Sequence, residues 1–107
     1  MKKIETSLDG AFIIEPQVFG DVRGWFYESY SKQKMHDIGI DVEFVQDNRS
    51  FSAQHGTLRG LHCQTPPMAQ TKLLTCLRGK ILDVAVDIRR GSPTYMQWTA
   101  VELSGEN

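Results

Sequence analysis

Two cysteines, four prolines and three histidines are all that 107 residues hold of these types, and no apolar run is long enough to cross a bilayer. Each scarcity removes a class of protein. Cys63 and Cys76 match no zinc or redox spacing, so the sequence predicts two buried thiols in a reducing cytosol rather than a disulfide framework. Lys and Arg number 12 against 13 Asp and Glu, for a net charge of −1, and the two signs are mixed along the chain. Without a basic face there is no electrostatic footprint for nucleic acid or an anionic membrane. The opening Met1-Lys2-Lys3 is followed by no apolar h-region, which predicts a cytoplasmic protein without a secretory leader. No repeat, linker or low-complexity stretch divides the chain, so residues 1–107 are expected to form a single domain.

A hydrophobic content of 40% and a charged content of 23% predict a packed core. A chain this short buries a lower fraction of its surface than a longer one, so its stability is expected to lean on a partner. Short strand-like runs broken by turn residues indicate an all-β sandwich or barrel. Phe12 to Ile14 and Trp25 to Tyr30 flank a turn at Phe19-Gly20-Asp21-Val22-Arg23-Gly24. Ser31 to Ile38 is the one expected helix, with Ser31 capping its start and Gly39 closing it in the left-handed region. Strands are expected around Phe44 to Ser50, at Leu58 to Gln64 and at Tyr95 to Leu103. A hairpin of Gln70–Leu77 with Lys80–Ile88 is expected about Arg78-Gly79. Leu82, Val84, Val86 and Ile88 form one apolar face.

The most informative run is Gly56-Thr-Leu-Arg-Gly-Leu-His62-Cys-Gln64, continuing through Lys72 to Gly79. Its outline resembles the first motif of the cupin superfamily, small jelly-roll barrels. The metal-binding form of that motif has a Gly, five residues, His-x-His, a carboxylate, six residues and a second Gly. Here Gly56 and His62 keep the spacing, Gln64 stands for the second His, and Lys72 stands for the carboxylate. An ammonium has no lone pair to donate, and a neutral amide is a poor transition-metal ligand. The expectation is therefore a site without metal or other cofactor. An imidazole is the natural proton acceptor near neutral pH, and an ammonium beside a carbonyl oxygen can stabilise an enolate. If His62 and Lys72 face one pocket, the pair suits proton removal next to a ketone. Taken singly, His62 is more simply a hydrogen-bonded core histidine and Lys72 a solvated surface lysine.

The runs Phe19-Gly-Asp-Val-Arg-Gly-Trp-Phe-Tyr-Glu-Ser-Tyr30, Phe44-Val-Gln-Asp-Asn48, Leu58-Arg-Gly-Leu-His-Cys-Gln64, Pro66-Pro-Met-Ala-Gln70, Asp83-Val-Ala-Val-Asp-Ile-Arg89, Gly91-Ser-Pro-Thr-Tyr95 and Val101-Glu-Leu-Ser104 follow one another in order over nearly the whole chain. Together they resemble the dTDP-4-dehydrorhamnose 3,5-epimerases, enzymes acting on a deoxythymidine-diphosphate (dTDP) keto-sugar. The resemblance implies a cupin-type jelly roll, metal-free and homodimeric, that inverts carbons 3 and 5 of dTDP-4-dehydro-6-deoxyglucose. It implies His62 as the base that takes both protons and Lys72 as the stabiliser of the enolate oxygen at carbon 4. Arg59 would hold diphosphate or sugar, and Gln46 and Asn48 would bind the nucleotide sugar. Arg23, Phe26 and Glu28 would reach the ligand from a partner subunit through an exchanged N-terminal hairpin.

Each of these has a plainer reading. Arg23 sits in a turn where a solvated arginine is ordinary, Phe26 suits packing, and Glu28 suits a surface position. Gln46 and Asn48 can pair with neighbouring loops. Regular strand parity would aim Arg59 and His62 oppositely, which a bulge at Gly60 or a rim position for Arg59 would reconcile. Asp83 and Asp87, on the other face of their strand, are left unassigned. The family pattern continues beyond Asn107 into strands that carry a tyrosine acid and an aspartate that orients the base. The expectation is therefore the N-terminal part of a jelly roll, weakly active or inactive alone. The alternatives are a related dTDP-sugar ketoisomerase and a non-catalytic nucleotide-sugar-binding module.

Overall fold

A computed structural model describes residues 1–107. The first strands, β1 (Lys2–Glu5) and β2 (Phe12–Glu15), pair antiparallel with Lys2 opposite Glu15 and Glu5 opposite Phe12. The turn between them is held by Thr6, whose hydroxyl donates to the Ala11 carbonyl at 2.8 Å and accepts from the Leu8 amide at 3.1 Å. That geometry folds Leu8 inward, where it is 4% exposed. A second hairpin joins β3 (Val18–Asp21) to β4 (Gly24–Tyr27) through Val22-Arg23, with Asp21 opposite Gly24. The expected turn is thus present, but the strand entering it is Val18–Asp21. Phe12–Glu15 is taken up by the N-terminal strand β1, which has few apolar residues to announce it.

Helix α1 (Lys32–Asp37) forms where the sequence places it. Ser31 accepts from the Lys34 amide at 3.3 Å. At the other end Gly39 has a φ of +83° and Ile40 returns its amide to the Met35 carbonyl at 2.8 Å. Met35 is the one side chain of the helix that is buried, at 1% exposure. The last sheet pairs β5 (Lys80–Val86) with β6 (Trp98–Ser104) over seven antiparallel positions, Lys80 opposite Ser104 and Val86 opposite Trp98.

That pairing corrects the expected hairpin. Gln70–Leu77 does not ladder with Lys80–Val86; the strand that pairs there is β6, reached through a longer connection at residues 87–97. Residues 44–50 and 58–64 are likewise not strands here, although their alternation suits a sheet. A strand exists only through a neighbour's amides and carbonyls. No segment of this chain lies beside them in register. The three two-stranded sheets do not close into a barrel.

The magnitudes agree with that account. Backbone–backbone hydrogen bonds number 29, where a folded chain of this length has about 70. The accessible surface is 9331 Å², against about 6,000 Å² for a folded monomer of this size. Five residues are buried: Leu8, Met35, Cys76, Asp87 and Ser104. The apolar face expected from Leu82 to Ile88 is only partly covered, with Leu82 and Ile88 exposed and Val84 and Val86 half-buried. Cys76 is the buried thiol that the sequence suggests, within 3.4 Å of the Arg78 and Gly79 carbonyls. Cys63 departs from the expectation and is exposed, because nothing in the chain covers its segment.

Candidate functional site

Lys72 lies on the wall of a cavity of about 170 Å³. Phe12 and Ile14 of β2, Tyr27 at the end of β4, Asp83 of β5 and Val101 of β6 share the lining. The space is therefore apolar over much of its wall, with Lys72 and Asp83 as its charged side chains. Three hairpins meet there, and the lysine enters on the irregular segment between α1 and β5. His62 is not among the lining residues and is exposed on the same segment. Its ring lies over Gly60: a β-carbon at residue 60 would stand 2.9 Å from His62 Cδ2 and 3.6 Å from Nε2. Gly60 has a φ of +106°, so the chain turns there and breaks the strand parity of Arg59 and His62.

The other site candidates fall into two groups. Gln46 donates from Nε2 to Asn48 Oδ1 at 3.0 Å, so the two side chains share a face. Arg59 is tied down by its own chain, with Nε donating to Ser52 Oγ at 2.9 Å and Nη2 to the Phe51 carbonyl at 3.0 Å. This braces the loop that carries Arg59 and uses part of its donor fork. The second group is on the β3–β4 hairpin and just beyond. Arg23 forks onto Asp21, with Nε 3.1 Å from both carboxylate oxygens. The pairing holds the Asp21 carboxyl below its ordinary pKa and raises that of Arg23. Phe26 stands opposite Phe19, both exposed, and Trp25 stacks on Tyr27 with ring centroids 5.4 Å apart. Glu28 pairs with Lys34 of α1 at 2.9 Å. No stretch of the chain brings Arg23, Phe26 or Glu28 to the Lys72 cavity.

The most fully satisfied polar group lies elsewhere. Asp87, just past β5, has a side chain 1% exposed. Its carboxylate accepts from Arg89 Nε at 2.9 Å, from Thr94 Oγ1 at 2.7 Å, from the Ser92 hydroxyl and from the Arg89 amide at 3.0 Å. Arg89 and these hydroxyls hold the carboxyl far below the usual carboxylate range. Arg89 also donates to the Asp9 carbonyl, and the Asp9 amide reaches Thr94 Oγ1 at 3.3 Å. The cluster clips the β1–β2 turn to the β5–β6 connection. Sequence reasoning left Asp83 and Asp87 unassigned. The available signal was the polar run Asp87-x-Arg89-x-x-Ser92-x-Thr94 directly after an apolar strand.

The geometry can be set beside known proteins. The family model described as dTDP-4-dehydrorhamnose 3,5-epimerase matches residues 5–107. This chain belongs to that family. The dTDP-4-dehydrorhamnose 3,5-epimerase of Shigella flexneri is 51% identical over 108 residues, covering 100% of this chain and 59% of the relative. That of Methanothermobacter thermautotrophicus is 53% identical over 104 residues, covering 97% and 55%. Among solved structures, the Bacillus anthracis epimerase with TDP and PPi bound superposes with a TM-score of 0.95 at 51% identity, covering 99% of this chain and 61% of that one. The Legionella pneumophila epimerase, in complex with dTDP-4-keto-L-rhamnose, gives 0.90 at 52% identity, covering 99% and 56%. The cupin-type jelly-roll class follows from these matches, and this epimerase-family chain spans under two thirds of each relative's length. None of its helices is long and apolar enough to cross a membrane.

Proposed function

We propose that this chain carries the base-bearing part of a dTDP-4-dehydrorhamnose 3,5-epimerase. In that reading it forms one domain that removes the protons at carbons 3 and 5 of dTDP-4-dehydro-6-deoxyglucose; a proton returned to the opposite face of each carbon gives dTDP-4-dehydro-L-rhamnose, weakly or not at all with this chain alone. Protons next to a ketone are acidic because the carbanion delocalises onto the carbonyl oxygen. His62 accepts each proton, and the Lys72 ammonium meets the negative charge that develops on the oxygen at carbon 4. Arg59, Gln46 and Asn48 hold the diphosphate and nucleotide. The single supporting observation is the place of Lys72, an exposed ammonium at the wall of a cavity with a mainly apolar lining, within which it could meet a developing oxyanion. The 52% identity to the Legionella enzyme, which is in complex with dTDP-4-keto-L-rhamnose, supports the substrate class.

The same reading makes the protein a cytoplasmic homodimer that exchanges the β3–β4 hairpin. Val18, Phe19, Trp25 and Phe26 of that hairpin are all exposed, which suits burial against a second copy. Arg23, Phe26 and Glu28 would then serve the partner's site. Incubating the chain with the keto-sugar nucleotide in D2O tests the chemistry. Weak incorporation of deuterium at carbons 3 and 5, lost in His62→Ala, is the expected result. Calorimetric binding of dTDP with no exchange would make the chain a nucleotide-sugar-binding module instead. Exchange that yields a shifted ketone would make it a ketoisomerase. Light scattering tests the dimer, and a stable monomer at micromolar concentration would rule against hairpin exchange.

A further inference from the structure

We infer that Gly60 is a positioning residue for the His62 imidazole, a role that rests on the reading of His62 as the base. Two independent features of residue 60 require glycine. Its φ of +106° lies where a side chain is strained, and a β-carbon there would come within 2.9 Å of His62 Cδ2 and 3.2 Å of the His62 amide nitrogen. Real β-carbons do not approach so closely, so any other residue must displace the ring or the backbone beneath it. The Cδ2–Nε2 edge of the imidazole therefore occupies space that a β-carbon at residue 60 would need, and the missing side chain leaves the ring free to hold that direction.

The surroundings explain why that space is needed. His62 is exposed, on a segment without ladder bonds to hold it. One residue before Gly60, Arg59 is fastened to Phe51 and Ser52, so the chain is anchored immediately upstream of the turn. An anchored residue, a sharp turn and a ring folded back over that turn together define one orientation. Gly56 and Gly79 also have left-handed φ values, of +76° and +79°, but a β-carbon at either meets nothing within 4 Å. Strain alone is common along this segment, and the collision with the ring is particular to Gly60.

The difference between Gly56 and Gly60 supplies the test, made on the full chain. In Gly60→Ala the ring resonances of His62 should shift, and deuterium exchange of the keto-sugar should fall on the order of 100-fold while dTDP affinity stays within about twofold. Gly56→Ala introduces left-handed strain in the same segment without a collision, and should leave the His62 resonances in place. Unmoved His62 resonances in Gly60→Ala, or equal shifts in both variants, would overturn the inference. If Gly60→Ala does not fold, the double substitution Gly60→Ala/His62→Ala decides. Recovery of folding once the ring is gone supports the collision, and equal failure refutes it. If the unaltered chain exchanges no deuterium, the epimerase reading fails separately, and the ring shift alone settles what Gly60 does.

Discussion

The corner where the β1–β2 turn meets the β5–β6 connection and the segment from residue 41 to 79 belong to one chain but are held in opposite ways. In the corner, Leu8 is buried, Asp87 has a full set of donors, and β5 and β6 ladder over seven positions. In the segment, no residue is in a strand, and Cys76 alone is buried. Yet the segment carries Gln46, Asn48, Arg59, His62 and Lys72. The sequences of both regions suit β-structure. They differ in whether a partner strand exists within the chain. The scaffold is self-contained, while the proposed chemistry sits on backbone whose ladder partners this chain does not supply.

Several measurements would break or sharpen this contrast. The largest expected effect is in amide exchange, where Lys80–Val86 should exchange roughly 100-fold or more slowly than residues 58–64. Similar rates would mean that the segment is covered in solution. Next, Leu8→Ala should cost about 2–3 kcal/mol in urea unfolding, since it empties a buried site in a thin core. Removing the Asp87 acceptor with Asp87→Asn should lower the melting temperature by about 5 °C or more at neutral pH.

The same carboxylate predicts an acid response. Its folded pKa is depressed, so its contribution to stability is complete above the unfolded value of about 3.9 and fades as pH falls below it. Asp87→Asn should flatten the loss of stability below about pH 4, and an unchanged acid limb would remove Asp87 from the account. Asp21 shifts the same way through Arg23, but that pair is exposed and its share should disappear in high salt. The smallest effect is expected for Leu58→Ala, under about 0.5 kcal/mol, because Leu58 is 87% exposed. Set beside Leu8→Ala it is the same chemical change in the other region. Equal costs would show that another surface covers Leu58, as a second copy would.

What was legible in the sequence were features that close within a few residues. Ser31 and Gly39 cap α1 through bonds three to five residues long, so the bounds of the helix follow from its own letters. The Val22-Arg23 turn is equally local. Runs such as Leu58–Gln64 carried the family resemblance because side-chain types are present whether or not the chain around them is paired. The face shared by Gln46 and Asn48 follows from extended backbone alone, without a neighbouring strand.

The sequence by itself therefore determined the helix, the Val22-Arg23 turn, the all-β character and the family to which the chain belongs. Tertiary structure decided that β5 pairs with Trp98–Ser104 and not with the nearer Gln70–Leu77, that Asp87 is buried, and that Lys72 reaches the cavity with Asp83 while His62 lies against Gly60. The reason is physical. A capped helix or tight turn satisfies its own backbone. A strand or a buried carboxylate is satisfied only by atoms that arrive from distant parts of the chain, and alternation along one segment cannot say which ones do.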